Sequence, residues 1–352
     1  MPNSAILKSG LDVLYYSGAS QVLRGIFGGR GAIFMLHHVR PGGGLQKGFA
    51  PNAGLEMTPG FLDEVINHVV AGGYDLVTLD EAAERISNGF AAPRPFVAFT
   101  LDDGYRDNLV HARPVFRKHN CPFTIFVTPA ITDGTCELWW RGLEAVIAGA
   151  SRVDTEINGE RLSMVTITDA HKQEAWQRLY WPVRKLGQRE QRRWIREFCE
   201  RQGVNLEAIC RAEAMSWDEL RIIAADPLCT IGAHTVSHYA LGQLEEADAF
   251  NEMVQSAERI VVELGKRPKF FAYPYGDAGA AATREFRLSA EAGFKAAVTT
   301  RKGLVTTAHK HHLQALPRVS LSGKFQKLRY VDVLLSGTAF ALSNGFKQVN
   351  AG

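Results

Sequence analysis

The chain has 352 residues, 46% of them hydrophobic and 22% charged, with 40 Lys and Arg against 37 Asp and Glu for a formal net charge of +3. This ordinary globular composition excludes collagen, coiled coil and wholesale disorder, and so small a charge argues for no nucleic-acid partner. The five cysteines (Cys121, Cys136, Cys199, Cys210 and Cys229) are odd in number and lack C-x-x-C spacing, so neither a disulfide framework nor a thiolate zinc site is expected.

Asn3 or Ser4 can cap a first helix carrying Ile6, Leu7, Leu11 and Leu14. Ala32–Leu36 reads as a buried strand that stops at His37-His38. Thr58-Pro59 opens a helix with Phe61, Leu62, Val65, Ile66 and Val69 on one face. Tyr74–Leu79 is a short strand and Leu79–Ile86 a helix. Phe96–Leu101 is a strongly apolar strand ending at Asp102-Asp103-Gly104, Leu109–Lys118 a helix and Phe123–Val127 another strand. Residues 133–216 break this rhythm. They read as mostly helical and polar, with all six tryptophans in or just beside them, and His171–Arg201 carries nine Lys and Arg against four Glu. Alternation resumes with a strand at Cys229–Ile231, a helix at Glu245–Leu264, a strand at Lys269–Tyr273, a helix at Thr283–Ala292, and strands at Ala296–Thr299 and Leu316–Leu321. Short buried strands alternating with helices imply a parallel sheet, and roughly seven such units suggest a closed or nearly closed barrel. No run of 18 apolar residues is present, and the N-terminus lacks the pattern of a cleavable signal peptide. A cytoplasmic protein, or one peripheral to the inner membrane, is therefore expected.

In a parallel α/β barrel the chemistry gathers where the strands end. Four apolar runs end in polar groups: His37-His38, Asp102-Asp103-Gly104, His234-Thr235-Val236-Ser237-His238, and Tyr273-Pro274-Tyr275-Gly276-Asp277. Two imidazoles four residues apart, with a carboxylate from another loop, suit Zn2+ or a similar divalent ion and leave a position open for water. A second carboxylate beside the ion can take that water's proton. Asp102 and Asp103 are adjacent and point in different directions on an extended turn, so one can ligate while the other acts as base.

These motifs resemble those of the polysaccharide deacetylase family, the NodB-like domain of carbohydrate esterase family four. The resemblance rests on Thr100-Leu101-Asp102-Asp103-Gly104, on His234 to His238, and on Phe271-Ala272-Tyr273-Pro274-Tyr275-Gly276, and it covers about residues 30–325. It implies an α/β fold, a distorted (β/α)7-type barrel with the helical insertion at 133–216, a helical extension at 1–29 and a C-terminal tail at 326–352. It implies metal-dependent removal of an acetyl group, N-linked before O-linked, from a sugar, glycolipid or oligosaccharide. By position Asp102 is the general base. Asp103, His234 and His238 are the ligands of a divalent metal, Zn2+ first, with Co2+ or Ni2+ as alternatives. The Tyr275 backbone N–H serves the oxyanion.

The chain departs from the family pattern in three places. Ala272 stands where an Arg commonly orients the base, so Arg318 or Arg106 must supply that contact. Tyr105 stands where Pro is usual. The late Leu-x-x-His acid is missing, since the segment reads Leu313-Gln314-Ala315-Leu316-Pro317-Arg318. In one branch of the family the acid histidine precedes the Asp-Asp-Gly motif, and Leu36-His37-His38-Val39 aligns with it. That makes His37 the expected proton donor to the leaving amine, with His38, His309, His311 and His312 as competitors.

Trp139 and Trp140, at the start of the insertion, are expected to offer faces to a sugar, and Tyr273 and Arg318 to contact substrate as well. The basic run Arg178–Arg201 could meet an acidic glycan, a lipid diphosphate or an anionic membrane. The partner is thus an acetylated carbohydrate, with glycolipid or peripheral membrane contact as an addition and no oligomeric state implied. Competing readings are a metal-dependent amidase on a non-sugar C–N bond and a catalytically weak glycan-binding module.

Overall fold

The computed structural model describes residues 4–91, 94–347 and 349–351. Seven strands form the barrel: β1 (Gly31–Leu36), β2 (Phe96–Leu101), β3 (Phe123–Val127), β4 (Cys229–Ala233), β5 (Phe270–Ala272), β6 (Ala296–Lys302) and β7 (Leu316–Ser320). All barrel neighbours are parallel, each strand pairing with the next barrel strand, and the ring closes at the seam where β1 pairs with β7 as well as β2; the short strand Asp75–Leu76 adds to β2. The β1–β2 register runs from Gly31 opposite Phe96 to Leu36 opposite Leu101. These strands are apolar along their whole length because both faces are covered. Ile33, Ala98, Phe126, Phe270, Val298 and Leu316 share one cluster. Phe34, Phe99, Phe123 and Phe271 belong to a second, which also takes in the apolar stripe of helix Pro59–Ala71 and the helices after β4 and β5. No helix among the described residues is long and apolar enough to cross a membrane.

Several local expectations change. The strand at Tyr74–Leu79 shrinks to Asp75–Leu76, because Thr78 turns away to cap helix Leu79–Ser87, its hydroxyl accepting from Glu81 N at 3.1 Å. The helix at Leu109–Lys118 is a π turn over Asn108–Ala112 followed by an α-helix over Arg113–Lys118. Pro114, which lacks an N–H, sits in the first turn of the α-helical part. Asn3, one of the two cap candidates, lies outside the described residues; the first helix runs Ser4–Tyr16 and a second runs Ala19–Phe27. The tail is helical at Leu328–Leu335 and Thr338–Ser343, and these helices pack against the first two.

The insertion is not all helical. Arg152–Ile157 and Glu160–Val165 form an antiparallel hairpin whose turn is Asn158-Gly159, both with positive φ. An Asn-Gly pair between alternating runs is the strongest short hairpin signal, so this element was open to reading. Helices Trp139–Gly149, Asp169–Lys185, Gln188–Arg201 and Leu206–Glu213 complete the insertion. Its core holds Trp139, Leu143, Ile147, Val153, Leu162, Trp176, Leu179, Ile195 and Phe198.

A charged network joins this subdomain to the barrel. Arg40 bonds Asp107 at 3.0 Å and Glu213 at 2.7 Å, and Arg141 bonds Glu213 at 2.7 Å and Glu144 at 2.6 Å. Asn52 donates to Glu144 at 2.9 Å, and His38 Nδ1 lies 2.8 Å from Asp107. Burial works to raise the Glu213 pKa, but His38, Arg141 and Arg40 outweigh it and lower the carboxyl from 4.5 to about 2. A depressed carboxylate contributes stability above its unfolded pKa and loses it as pH falls through the folded one. Glu213→Gln should therefore cost about 1.5–3 kcal/mol near neutral pH. The deficit against the wild type should shrink steadily below pH 4.5, read by denaturant unfolding at a series of pH values.

Candidate active site

The catalytic-end loops bring the motif residues together. Asp102 and Asp103 follow β2, His234 follows β4, and His238 lies four residues on, all buried. The ligand-type atoms of Asp103, His234 and His238 lie within 4.8 Å of one another, with Asp103 Oδ1 at 3.5 Å from His234 Nε2 and 3.2 Å from His238 Nε2. His234 Nδ1 is 2.6 Å from the Ala272 carbonyl. That carbonyl can only accept, so Nδ1 carries the proton and Nε2 presents its lone pair to the cluster. Asp103 Oδ1 is buried without a hydrogen-bond donor. An orphaned carboxylate oxygen facing two imidazoles is costly in a polar cluster with no cation, so these residues fit a divalent ion of the kind that takes nitrogen and oxygen ligands. Burial lowers the His238 pKa to about 4, which keeps the imidazole neutral as a ligand must be.

Asp102 is held separately. Arg318, fully buried on β7, places Nη1 and Nη2 each 2.7 Å from the two carboxylate oxygens. The guanidinium also donates to the Thr299 carbonyl at 2.8 Å and to Thr100 Oγ1 at 3.1 Å, and Thr100 in turn donates to the Phe34 carbonyl. Burial pushes the Asp102 carboxyl up, but the Arg318 charge, with help from His234, reverses this and holds it below its ordinary value. Arg318 therefore cannot contact substrate, contrary to one expectation. It makes the contact to Asp102 that Ala272 cannot. Arg106 does not: it pairs with Glu219 at 2.9 Å and donates to the Ala212 carbonyl.

His37 Nε2 lies 3.9 Å from Asp102 Oδ2, with 19% of its side chain exposed. Burial lowers its pKa against the upward pull of Asp102 and Asp103. The competing histidines are elsewhere. His38 is buried under Tyr105, ring centroids 3.6 Å apart, within the charged network. His309 is buried, its Nδ1 accepting from Thr306 N at 3.0 Å. His311 and His312 line a groove of about 510 Å3 in the segment leading into β7, at the opposite end of the barrel from the site.

Tyr275 has φ 62°, and its backbone N–H meets no acceptor among the described residues. Asp103, Thr235 and His238 also have φ between 56° and 75°. Left-handed backbone at non-glycine residues is held only where surroundings enforce it. The Tyr275 ring lies under the Arg184 guanidinium at 3.7 Å, and its hydroxyl accepts from Trp139 Nε1 at 2.8 Å. Trp139 and Trp140 are themselves buried, at 0% and 6% exposure, so neither offers a free face to a sugar. Both pack in the insertion core, Trp140 also against His238 at 5.1 Å. Tyr273 is likewise buried, donating to the Gln314 carbonyl at 2.9 Å, and does not reach the site mouth.

Two positioning residues escaped the sequence. Arg192, buried in the insertion, donates to the carbonyls of Glu137, Ser237 and His238, the last two at 3.0 and 3.2 Å. Glu252 accepts from Val236 N and Ser237 N at 2.9 Å. Together they grip both polarities of the loop that carries the two histidines. Arg192 shares a helix face with Ile195 and Cys199, and a cation on an apolar stripe was the available signal. Elsewhere in the basic run Arg189 pairs with Asp248 and Arg196 with Glu137, whereas Lys185, Arg193 and Arg201 make no ion pair among the described residues.

Arg318→Met should destabilise by about 3–5 kcal/mol, because Asp102 is left as an unpaired buried charge. The double variant Asp102→Leu, Arg318→Met should recover much of that loss in denaturant unfolding, and a double variant as weak as the single would contradict this account. Arg192→Met should weaken metal binding on the order of 10–100-fold in a chelator competition while ligands and circular dichroism stay intact.

The fold has solved counterparts. A de-N-acetylase from Aggregatibacter actinomycetemcomitans aligns with TM-score 0.53 at 14% identity, over 86% of this chain and 99% of that one. IcaB from Ammonifex degensii aligns with TM-score 0.52 at 17% identity, over 88% and 97%. The deacetylase PplD of Streptococcus pyogenes, solved with acetate, aligns with TM-score 0.51 at 18% identity, over 86% and 97%. At such identities the likeness establishes the barrel and nothing finer. No curated protein sequence matches the chain. The sequence model of polysaccharide deacetylases does match, across residues 91–297, which is more than half of the chain and spans both aspartates, both histidines and the turn at Tyr275; the chain belongs to the polysaccharide deacetylase family.

Proposed function

We propose that this chain is a metal-dependent hydrolase that removes acetyl groups, N-linked in the first instance, from a carbohydrate. One observation carries the reading: a carboxylate clamped by Arg318 stands beside a separate Asp-His-His cluster that retains an unsatisfied oxygen. The two adjacent aspartates therefore have different tasks. Asp103, His234 and His238 would hold the ion, Zn2+ before Co2+ or Ni2+, which when bound would polarise the acetyl carbonyl and acidify water.

The remaining chemistry falls to the chain's own groups. Asp102, kept ionised and fixed in direction by two hydrogen bonds, accepts the proton of the attacking water. The free N–H of Tyr275 donates to the acetyl oxygen as charge develops on it. His37, within 3.9 Å of Asp102, is the group placed to pass a proton to the departing amine nitrogen. An amine leaves poorly unless protonated, so a donor on this side of the site is required.

The decisive assay is acetate release from N-acetylglucosamine oligomers, nucleotide sugars and O-acetylated glycans, with metal content measured. Asp102→Asn should retain metal and lose activity by about 10²–10⁴-fold. His37→Ala should fall comparably and His312→Ala should match the wild type; the reverse order would remove His37 from the mechanism. Chelation should abolish activity and readdition of a divalent ion restore it. A metal-loaded protein that releases no acetate from any of these substrates would favour an amidase on another C–N bond.

A further inference from the structure

The two N-terminal helices show an asymmetry that the active site does not use. In Ser4–Tyr16 the inner face is fixed: Lys8 lies over the Phe325 ring at 5.7 Å, and Asp12 bonds Arg329 at 2.6 Å and lies 3.3 Å from the Tyr330 hydroxyl. The outer face carries Ile6, Val13 and Tyr16, spaced i, i+7 and i+10, which puts them on one side of the helix. On Ala19–Phe27, Val22 and Ile26 project in the same i, i+4 fashion, and Phe346 lies beside them against Phe27, ring centroids 5.8 Å apart. These six side chains are between 63% and 79% exposed. Large apolar groups so exposed are unusual when concentrated in two short segments, and such concentration marks a contact surface.

The charge around them selects the partner. Residues 1–30 and 323–352 hold seven Lys and Arg but only two acids, Asp12 and Asp332. Both acids are used internally, Asp12 by Arg329 and Asp332 by His68 at 2.5 Å. Lys324, Lys327 and Lys347 make no ion pair among the described residues, and neither do Lys8, which lies over Phe325, or Arg24, which donates to the Tyr74 hydroxyl at 2.9 Å. The patch is thus apolar with a positive rim. Two copies meeting face to face would set like charges against each other, whereas an anionic bilayer offers hydrocarbon beneath and negative headgroups around. Shallow insertion of amphipathic helices flanked by cations needs no spanning segment.

We propose that the helix pair Ser4–Tyr16 and Ala19–Phe27, with Phe346, docks this chain on the surface of an anionic lipid bilayer. Lys8 stands over Phe325, in the turn that leaves the catalytic end of β7, so the docked helix begins on the side of the barrel that carries the site mouth. The inference is independent of the deacetylase reading, because its readout is partition and not turnover.

The test is co-sedimentation of the full chain with vesicles of phosphatidylcholine alone and of an equimolar mixture with phosphatidylglycerol. The wild type should sediment with the mixed vesicles and much less with the neutral ones. The triple variant Val13→Ser, Val22→Ser, Ile26→Ser should lose about tenfold or more of that partition with unchanged thermal unfolding, since all three side chains face solvent. High salt should weaken binding in part. A wild type that stays in the supernatant with both vesicles overturns the proposal. So does a triple variant that binds as well as the wild type, or equal binding to both vesicles, which would leave the basic rim without a role. A wild-type dimer that the triple variant converts to monomer, with no vesicle binding, would assign the face to a second copy instead.

Discussion

The ion pair between Arg318 and Asp102 is the constraint around which the site is arranged. It closes two hydrogen bonds at 2.7 Å inside a fully buried environment, where each charge alone would be prohibitive. Because the pair joins the end of β2 to β7, it ties the Asp102-Asp103 loop to the strand that completes the ring. Asp102 is thereby fixed in direction and protonation, and the neighbouring Asp103 is free to turn toward the two histidines. The division of labour between adjacent aspartates follows from where one arginine stands.

The same site is braced from outside the barrel. Arg192 reaches in from the insertion and Glu252 from the helix after β4, one donating to carbonyls and the other accepting from amides of the same loop. Thr235 and His238 in that loop hold left-handed backbone that an unsupported chain would leave. Beneath the insertion, Arg40, Arg141, Glu213 and Glu144 join it to the barrel. The insertion is therefore structural to the site and not a loose cover.

The barrel was legible because its strands are short apolar runs ending in polar groups; Phe123–Val127 falls where the sequence placed it, and the strand ends led to Asp102, Asp103, His234 and His238. The motif spacing is local, so a linear reading finds it. Arg318 is harder, because its partner lies 216 residues away and only ring closure brings them together. Trp139, Trp140 and Tyr273 misled for a related reason. Aromatic residues near a motif suit a cleft and a core equally, and burial, which separates the two, is a tertiary property. The hairpin at Asn158-Gly159 carries a local turn signal, but it is set within polar, helix-rich surroundings that mask it in the sequence.

The order of the strands has a consequence for how the protein comes into being. Apart from the seam, each barrel strand pairs with the next barrel strand in the chain, so the sheet can grow one unit at a time as the polypeptide emerges, but the seam between β1 and β7 can form only at the end. Arg318 arrives with that last strand. Until it does, Asp102 lacks its countercharge and its fixed orientation. Sealing the barrel and pairing Asp102 with its countercharge are thus one event.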